Sequence, residues 1–340
     1  MMNSSINAAF EAVSGYTAFD NCPDIQFEVG KTLEYERKTK SDKNGFYFCH
    51  KNPIFALTYY HLFSREWSPT GFAEVSTKTV DYLMGQKEEV CIASKIKVNK
   101  LLTLDELIEA QIKASYQSQN VNYIATKDIE KLSSNDDFAI IASDKKWTSA
   151  SISGDCSAIV TKDGSHLSSS GYGGALLSIG PNAQLTASGN CSYLYANGND
   201  AKVSTSGLEN HVNVIGHRSH VTSSGDYDNI YTDGDDTNIV SGGDDAGIRA
   251  VGDRVRIAAM GNYCDIWYRG SGGFLQIGGY RGKFDCSEGT LVQAVVYDSE
   301  LNPSGDLIGR IGKNGLKPNT EYTVQYGKFV EVAAEEAEIE

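Results

Sequence analysis

From Gly171 to Gly279 a glycine recurs at every ninth residue, thirteen times without a slip. Five residues after each glycine stands an aliphatic or aromatic residue, from Leu176, Leu185 and Leu194 through Val212, Ile230 and Ile248 to Ile266, Leu275 and Phe284. A fixed short period decides architecture before any local propensity does. With the glycine as place zero, place five is large, and places three and seven are mostly small. Side chains on a strand alternate with a period of two, so places three, five and seven share one face. One large residue between two small ones suits a thin, flat interior. Asn and Asp crowd place one (Asn190, Asn199, Asp226, Asp235, Asp244, Asp253, Asn262). Glycine followed by Asn or Asp reads as a corner that uses the left-handed region. Each repeat is therefore one strand and one corner of a β-solenoid.

The outward places carry a longer period. At place six, alternate copies read Leu177, Tyr195, Asn213, Tyr231, Arg249 and Trp267, while the others read Thr186, Ser204, Thr222, Val240, Ala258 and Gln276. Two repeats thus make one coil of 18 residues with two unlike faces. The bulky face offers Tyr193, Tyr195, His211, Asn213, Asn229, Tyr231, Arg249, Asp265 and Trp267 as a partner-binding surface, because exposed Tyr, Trp and Arg dominate hot spots. The hydroxyl face (Thr186, Ser188, Ser204, Ser206, Thr222, Ser224) gives way to Val240, Ala258 and Met260, which argues against an ice-type array. The calcium-binding nine-residue repeat is excluded by its aspartate, which stands two places before the apolar residue. Here that place is small and mostly neutral.

The formal net charge is −14. No basic patch of nucleic-acid type occurs, so direct nucleic-acid binding is disfavoured. Asp226, Asp228, Asp233, Asp235, Asp236, Asp244 and Asp245 form the densest acidic stretch, with no Lys or Arg among them. It is read as a second candidate surface, for a basic partner. Seven scattered cysteines show no metal-ligand spacing, and free thiols point to a reducing compartment. His211 and His220 share place four in successive repeats, so they fall on opposite faces and do not form a metal pair. No metal, no cofactor and no membrane segment is expected.

The flanks divide the chain further. Residues 1–113 read as an α+β unit, with "NPIFALTYYHLF" and "TLDELIEAQIKA" as helices. Thr103 and Glu106 form a capping box on the second helix. Residues 114–146 read as a connector with a first strand, 147–284 as the solenoid, and 285–332 as small β hairpins that cap it. Residues 333–340 read as a disordered acidic tail. The fold class is mainly β, with an α+β N-terminal domain.

Two stretches carry a resemblance. "GFYFCHKNPIFALTYY" (Gly45 to Tyr60) and "LKPNTEYTVQYGKFVEV" (Leu316 to Val332) flank the glycine repeats. That order resembles a family of phage and prophage proteins, with Tyr47 standing where the family has histidine. The resemblance implies a non-enzymatic binding protein in the cytoplasm of the infected host cell. It would meet a host protein or protein complex, inhibiting a defence or regulatory assembly. The alternatives are an ADP-ribosyltransferase-like enzyme with the solenoid as its targeting arm, and a virion or fibre component. The alternative partner is a second copy of the chain, in a homo-oligomer. "EVGK" followed by "GFYFC" also resembles ADP-ribosyltransferase-like domains, with Tyr47 where an aromatic stacks on nicotinamide. The first NAD-binding residue expected in "GYTAF" is missing, as is a late E-x-E.

Overall fold

The computed structural model describes residues 13–19, 27–35, 45–49, 52–58, 71–78, 81–82, 90–117, 123–125, 131–162 and 164–332. The chain divides into two compact units, Met1–Gln119 and Asn120–Glu340. The acidic tail, Cys22, His50 and His61 lie outside the described residues.

The first unit holds a seven-stranded antiparallel sheet. Gly71–Thr77 and Val13–Phe19 lie near its centre, and Thr32–Glu34 and Asp81–Tyr82 at its edges. Strands form around Tyr16, Leu33, Tyr47, Val75 and Ile96. A helix begins at Pro53 but is described only as a 3-10 turn, Pro53–Thr58. The capping box of Leu104–Gln117 closes in both directions. Thr103 Oγ1 accepts the Glu106 N–H at 3.2 Å, and Glu106 Oε2 accepts the Thr103 N–H at 2.9 Å. Buried Gln111 ties the two helical segments together. Its Oε1 accepts the Ile54 N–H at 3.1 Å, and its Nε2 donates to Asn52 Oδ1 at 3.1 Å.

The second unit is a β-solenoid of about nine turns over residues 131–294. Two parallel sheets face each other, and each strand pairs with the one a coil later. The place-five column forms the interior. Ile159, Leu176, Leu194, Val212, Ile230, Ile248 and Ile266 are all buried there. Each such side chain contributes about 1.5–3 kcal/mol by leaving water.

The coils extend beyond the glycine register because single residues drop out at corners. Ala158 pairs Ala175 and Phe274 pairs Leu291, a step of 17 rather than 18. The inward column simply continues upstream through Leu167, Ile159, Ala150, Ile141 and Leu132, and downstream to Val292. A corner one residue shorter leaves the strand ladder intact, while a strict nine-residue count loses its phase.

The corners bear out the sequence expectation only in part: Gly180, Gly216 and Gly252 at place zero have φ of 133°, 131° and 126°, but Asn and Asp at place one are not left-handed. A left-handed residue also stands at place two, where Asp200, Glu209, Arg218, Tyr227, Asp236 and Arg254 have φ between 57° and 63°. Asn and Asp at place one do another job. Their side-chain oxygens accept the backbone N–H one coil later: Asn190 from Leu208 at 2.9 Å, Asp226 from Asp244 at 2.8 Å, Asn262 from Tyr280 at 2.9 Å. Place zero is glycine because successive coils meet there. A Cβ on Gly225 would lie 1.7 Å from the carbonyl oxygen of Gly207, and one on Gly189 1.9 Å from that of Gly171.

The rod is capped by antiparallel strands. Glu321–Gln325 pairs with Lys283–Cys286, and Pro303–Arg310 pairs with Leu291–Tyr297. Tyr322 stacks on Phe284 with ring centres 5.8 Å apart, and Phe329 meets it edge-on at 5.6 Å. Aromatic rings thus close the core where the next coil would have stood.

Candidate functional site

One sheet carries the bulky outer column in the register Leu177, Tyr195, Asn213, Tyr231, Arg249, Trp267, Asp285. Alternation along each strand turns these residues away from the interior. Direction does not decide exposure, however. Tyr195, expected on an open surface, is only 3% exposed, and Asn213 is buried with it. Both lie outside the interior core, yet neither is accessible, and this corrects the sequence reading of them as contact residues. Leu177 and Val160, earlier in the column, are buried in the same way.

The column opens at Tyr231. From there Tyr231, Arg249 and Trp267 are half-buried, as are Asn229 and Asp265 beside them. Arg249 Nη2 donates to Asp265 Oδ2 at 2.7 Å. Arg269 holds its guanidinium 4.2 Å over the Trp267 ring and donates to Asp285 through Nη1 at 3.0 Å and Nη2 at 2.8 Å. Two arginines and an indole are thereby fixed in position before any partner arrives. Arg269 and Asp285 were missed in the sequence. One coil added to Trp267 reaches Asp285, place six of the last repeat, so the signal was there. Tyr193 and His211, in the neighbouring column, stack with ring centres 5.4 Å apart. Burial pushes the Tyr193 phenol well above its ordinary value, and burial also raises that of Tyr231.

The acidic stretch does not form one surface. Asp228 is buried inside the rod, which corrects its place in an exposed patch. It accepts from Ser223 Oγ at 2.6 Å, Thr205 Oγ1 at 2.7 Å and the Asn210 N–H at 2.7 Å. Burial raises its pKa, and these bonds oppose the rise. Asp226, Asp235 and Asp244 are acceptors in the place-one ladders. Asp236 is held in a two-pronged pair with Arg254, both bonds 2.8 Å, and that partner lowers its pKa. Asp233 and Asp245 are exposed.

The other sheet carries the hydroxyl face, and the shortened coils lengthen it. Ser133, Ser151 and Ser168 stand in register with Thr186, Ser204 and Thr222. Neighbouring rungs bond one another, as Ser204 Oγ and Thr222 Oγ1 do at 3.0 Å.

In the first unit Tyr47 is half-buried on Phe46–Cys49, and its carbonyl accepts from Thr17 Oγ1 at 2.6 Å. His211 and His220 lie in different sheets. Among the described residues no group of His, Cys, Asp and Glu could hold a metal ion, and no helix is long and apolar enough to cross a membrane. The six described cysteines are free. Cys264 is one of the small interior residues, and burial pushes its thiol up to about 11.

No curated protein and no solved structure matches the chain. Residues 13–110, most of the first unit, match a family model described as a domain of unknown function, DUF7666.

Proposed function

We propose that the protein is a non-enzymatic binding protein whose solenoid presents the Tyr231–Arg249–Trp267–Arg269 surface to a protein partner. The observation that carries this reading is the fixed stack of Arg269 on Trp267, braced by Asp285. Trp, Tyr and Arg are the residue types that dominate interface energetics, and side chains held in place beforehand lose less entropy on binding. The resemblance of the flanking motifs to phage proteins gives the partner as a host protein or complex, which binding would inhibit. Tyr195 and Asn213, both buried, are left out of this surface.

The test is cross-linking capture from host cells, with wild type beside Trp267→Ala and Arg269→Ala. One protein that is retained by wild type and lost from both variants is the expected result. Capture unchanged by both substitutions would remove this surface from consideration.

A further inference from the structure

A cleft of about 560 Å³ opens beside the last coil, within the second unit. Its floor is apolar, made by Ile277, Val295, Val296 and Val324, and its walls carry Tyr280, Tyr297 and Tyr326. Tyr326 is 97% exposed, at the tip of the final hairpin. The tyrosines continue outward along the corner. Tyr263 meets Tyr280 edge-on with ring centres 6.2 Å apart, and Tyr280 meets Tyr297 edge-on at 5.9 Å. Their rungs are consecutive, because Ala259 pairs Ile277 and Ile277 pairs Ala294.

We propose that this cleft binds a proline-rich segment of a partner protein in the polyproline II conformation, with a basic residue at one end. This site is independent of the Trp267 surface. Polyproline II segments dock in aromatic-lined grooves, where rings seat in notches between side chains. The spacing fits. A polyproline II turn rises about 9.3 Å, three residues at about 3.1 Å each. Tyr263 and Tyr297 stand two rungs apart, which at about 4.8 Å per rung is about 9.6 Å. One turn of the peptide would therefore span the distance from Tyr263 to Tyr297. Such a peptide keeps its own carbonyls unbonded, and Gln325 and Ser299 on the rim carry groups able to donate to them.

Charge sets the direction. The turn at one wall carries Asp298 and Glu300, with no Lys or Arg from residue 285 to 309. Arg281 also lines the cleft, but it is engaged with Tyr280, lying over that ring at 5.3 Å and donating to its Oη at 3.1 Å. A Lys or Arg on the peptide would thus sit against Asp298.

The test uses the full chain and fluorescence-labelled decaproline, extended at one end by Arg or by Glu, with a glycine–serine peptide as control. Binding of Arg-decaproline at least fivefold tighter than either other peptide is expected. Tyr326→Ala, at a fully accessible position, should weaken it at least fivefold, while Trp267→Ala should leave it unchanged. Asp298→Asn keeps the oxygen that accepts the Glu300 and Asn302 N–H groups at 2.9 Å and removes only the charge. It should narrow the Arg-over-Glu preference. Decaproline bound no better than the glycine–serine peptide would overturn the proposal. So would affinity unaffected by Tyr326→Ala, affinity lost in Trp267→Ala, or Tyr326-dependent binding of maltohexaose in place of the peptide.

Discussion

Arg269 joins two residues one coil apart, stacking on Trp267 at 4.2 Å and bonding both carboxylate oxygens of Asp285. Its side chain is only 25% exposed, and that of Asp285 24%, so the pair is less screened than a surface ion pair. Arg269→Ala should lower stability by about 1 kcal/mol, combining the lost pair and the lost cation–π contact. Trp267→Ala should remove much of the same increment, so the double variant should cost less than the sum of the two. Urea unfolding of the three variants measures that coupling.

The glycine ladder gives a sharp contrast between two positions. Gly225→Ala would place a Cβ against the Gly207 carbonyl, and the coils must part to admit it. A loss of about 3 kcal/mol or more is expected, at the upper end of overpacking costs. Gly305 faces open space, and Gly305→Ala should change stability by no more than about 0.5 kcal/mol. Equal urea midpoints for the two variants would show that backbone contact does not set the repeat.

Tyr268 is the largest interior residue at place seven, and it fits because Gly273 leaves room. A Cβ on Gly273 would come within 2.2 Å of the Tyr268 ring. Gly273→Ala should therefore destabilise the rod by about 1–3 kcal/mol. The Gly273→Ala/Tyr268→Ser double variant should recover part of that loss in thermal unfolding, since Ser is what Ser178 supplies at place seven in an earlier coil.

Asp228 makes stability depend on pH with a defined sign. Its folded pKa is raised above the ordinary value by burial, so the folded state holds this proton more tightly than the unfolded state does. The stabilising increment is present below the unfolded carboxylate pKa and is lost as pH rises through the folded one. Asp228→Asn removes the titration and keeps an oxygen for the Asn210 N–H. The wild-type stability minus that of Asp228→Asn should fall as pH is raised from the ordinary carboxylate range upward, then level off. Denaturant unfolding across pH reads this difference, and a rise with pH would refute the assignment.

The non-enzymatic reading makes its own prediction. Incubation of the full chain with labelled NAD and host lysate should give no label transfer, with Tyr47→Ala indistinguishable from wild type. Transfer by wild type that disappears in Tyr47→Ala would establish the transferase reading instead.

Much of this was legible in the chain itself. Place five named the interior residue of every coil within the glycine register, and the two alternating sets at place six separated the sheets. The capping box at Thr103 and the hairpin cap after Phe284 followed from local chemistry. The corner was harder to read. Asp235 and Asp236 look alike as letters, yet Asp235 bonds the Asp253 N–H and Asp236 pairs with Arg254. Asp228, two residues after Asp226, turns inward because it occupies place three, a place that the small residues of other coils had marked.

The sequence by itself determined the coil, its interior column and the direction of every outward side chain. It could do so because strand alternation and a repeated corner are local properties. Only the tertiary structure decided which outward residues are reachable, burying Tyr195 and leaving Trp267 half open. It also decided why the glycines recur: the backbones of successive coils touch there, and at Gly180, Gly216 and Gly252 the glycine itself has a positive φ. Cover and close approach depend on residues a coil or more away, and no single repeat contains them.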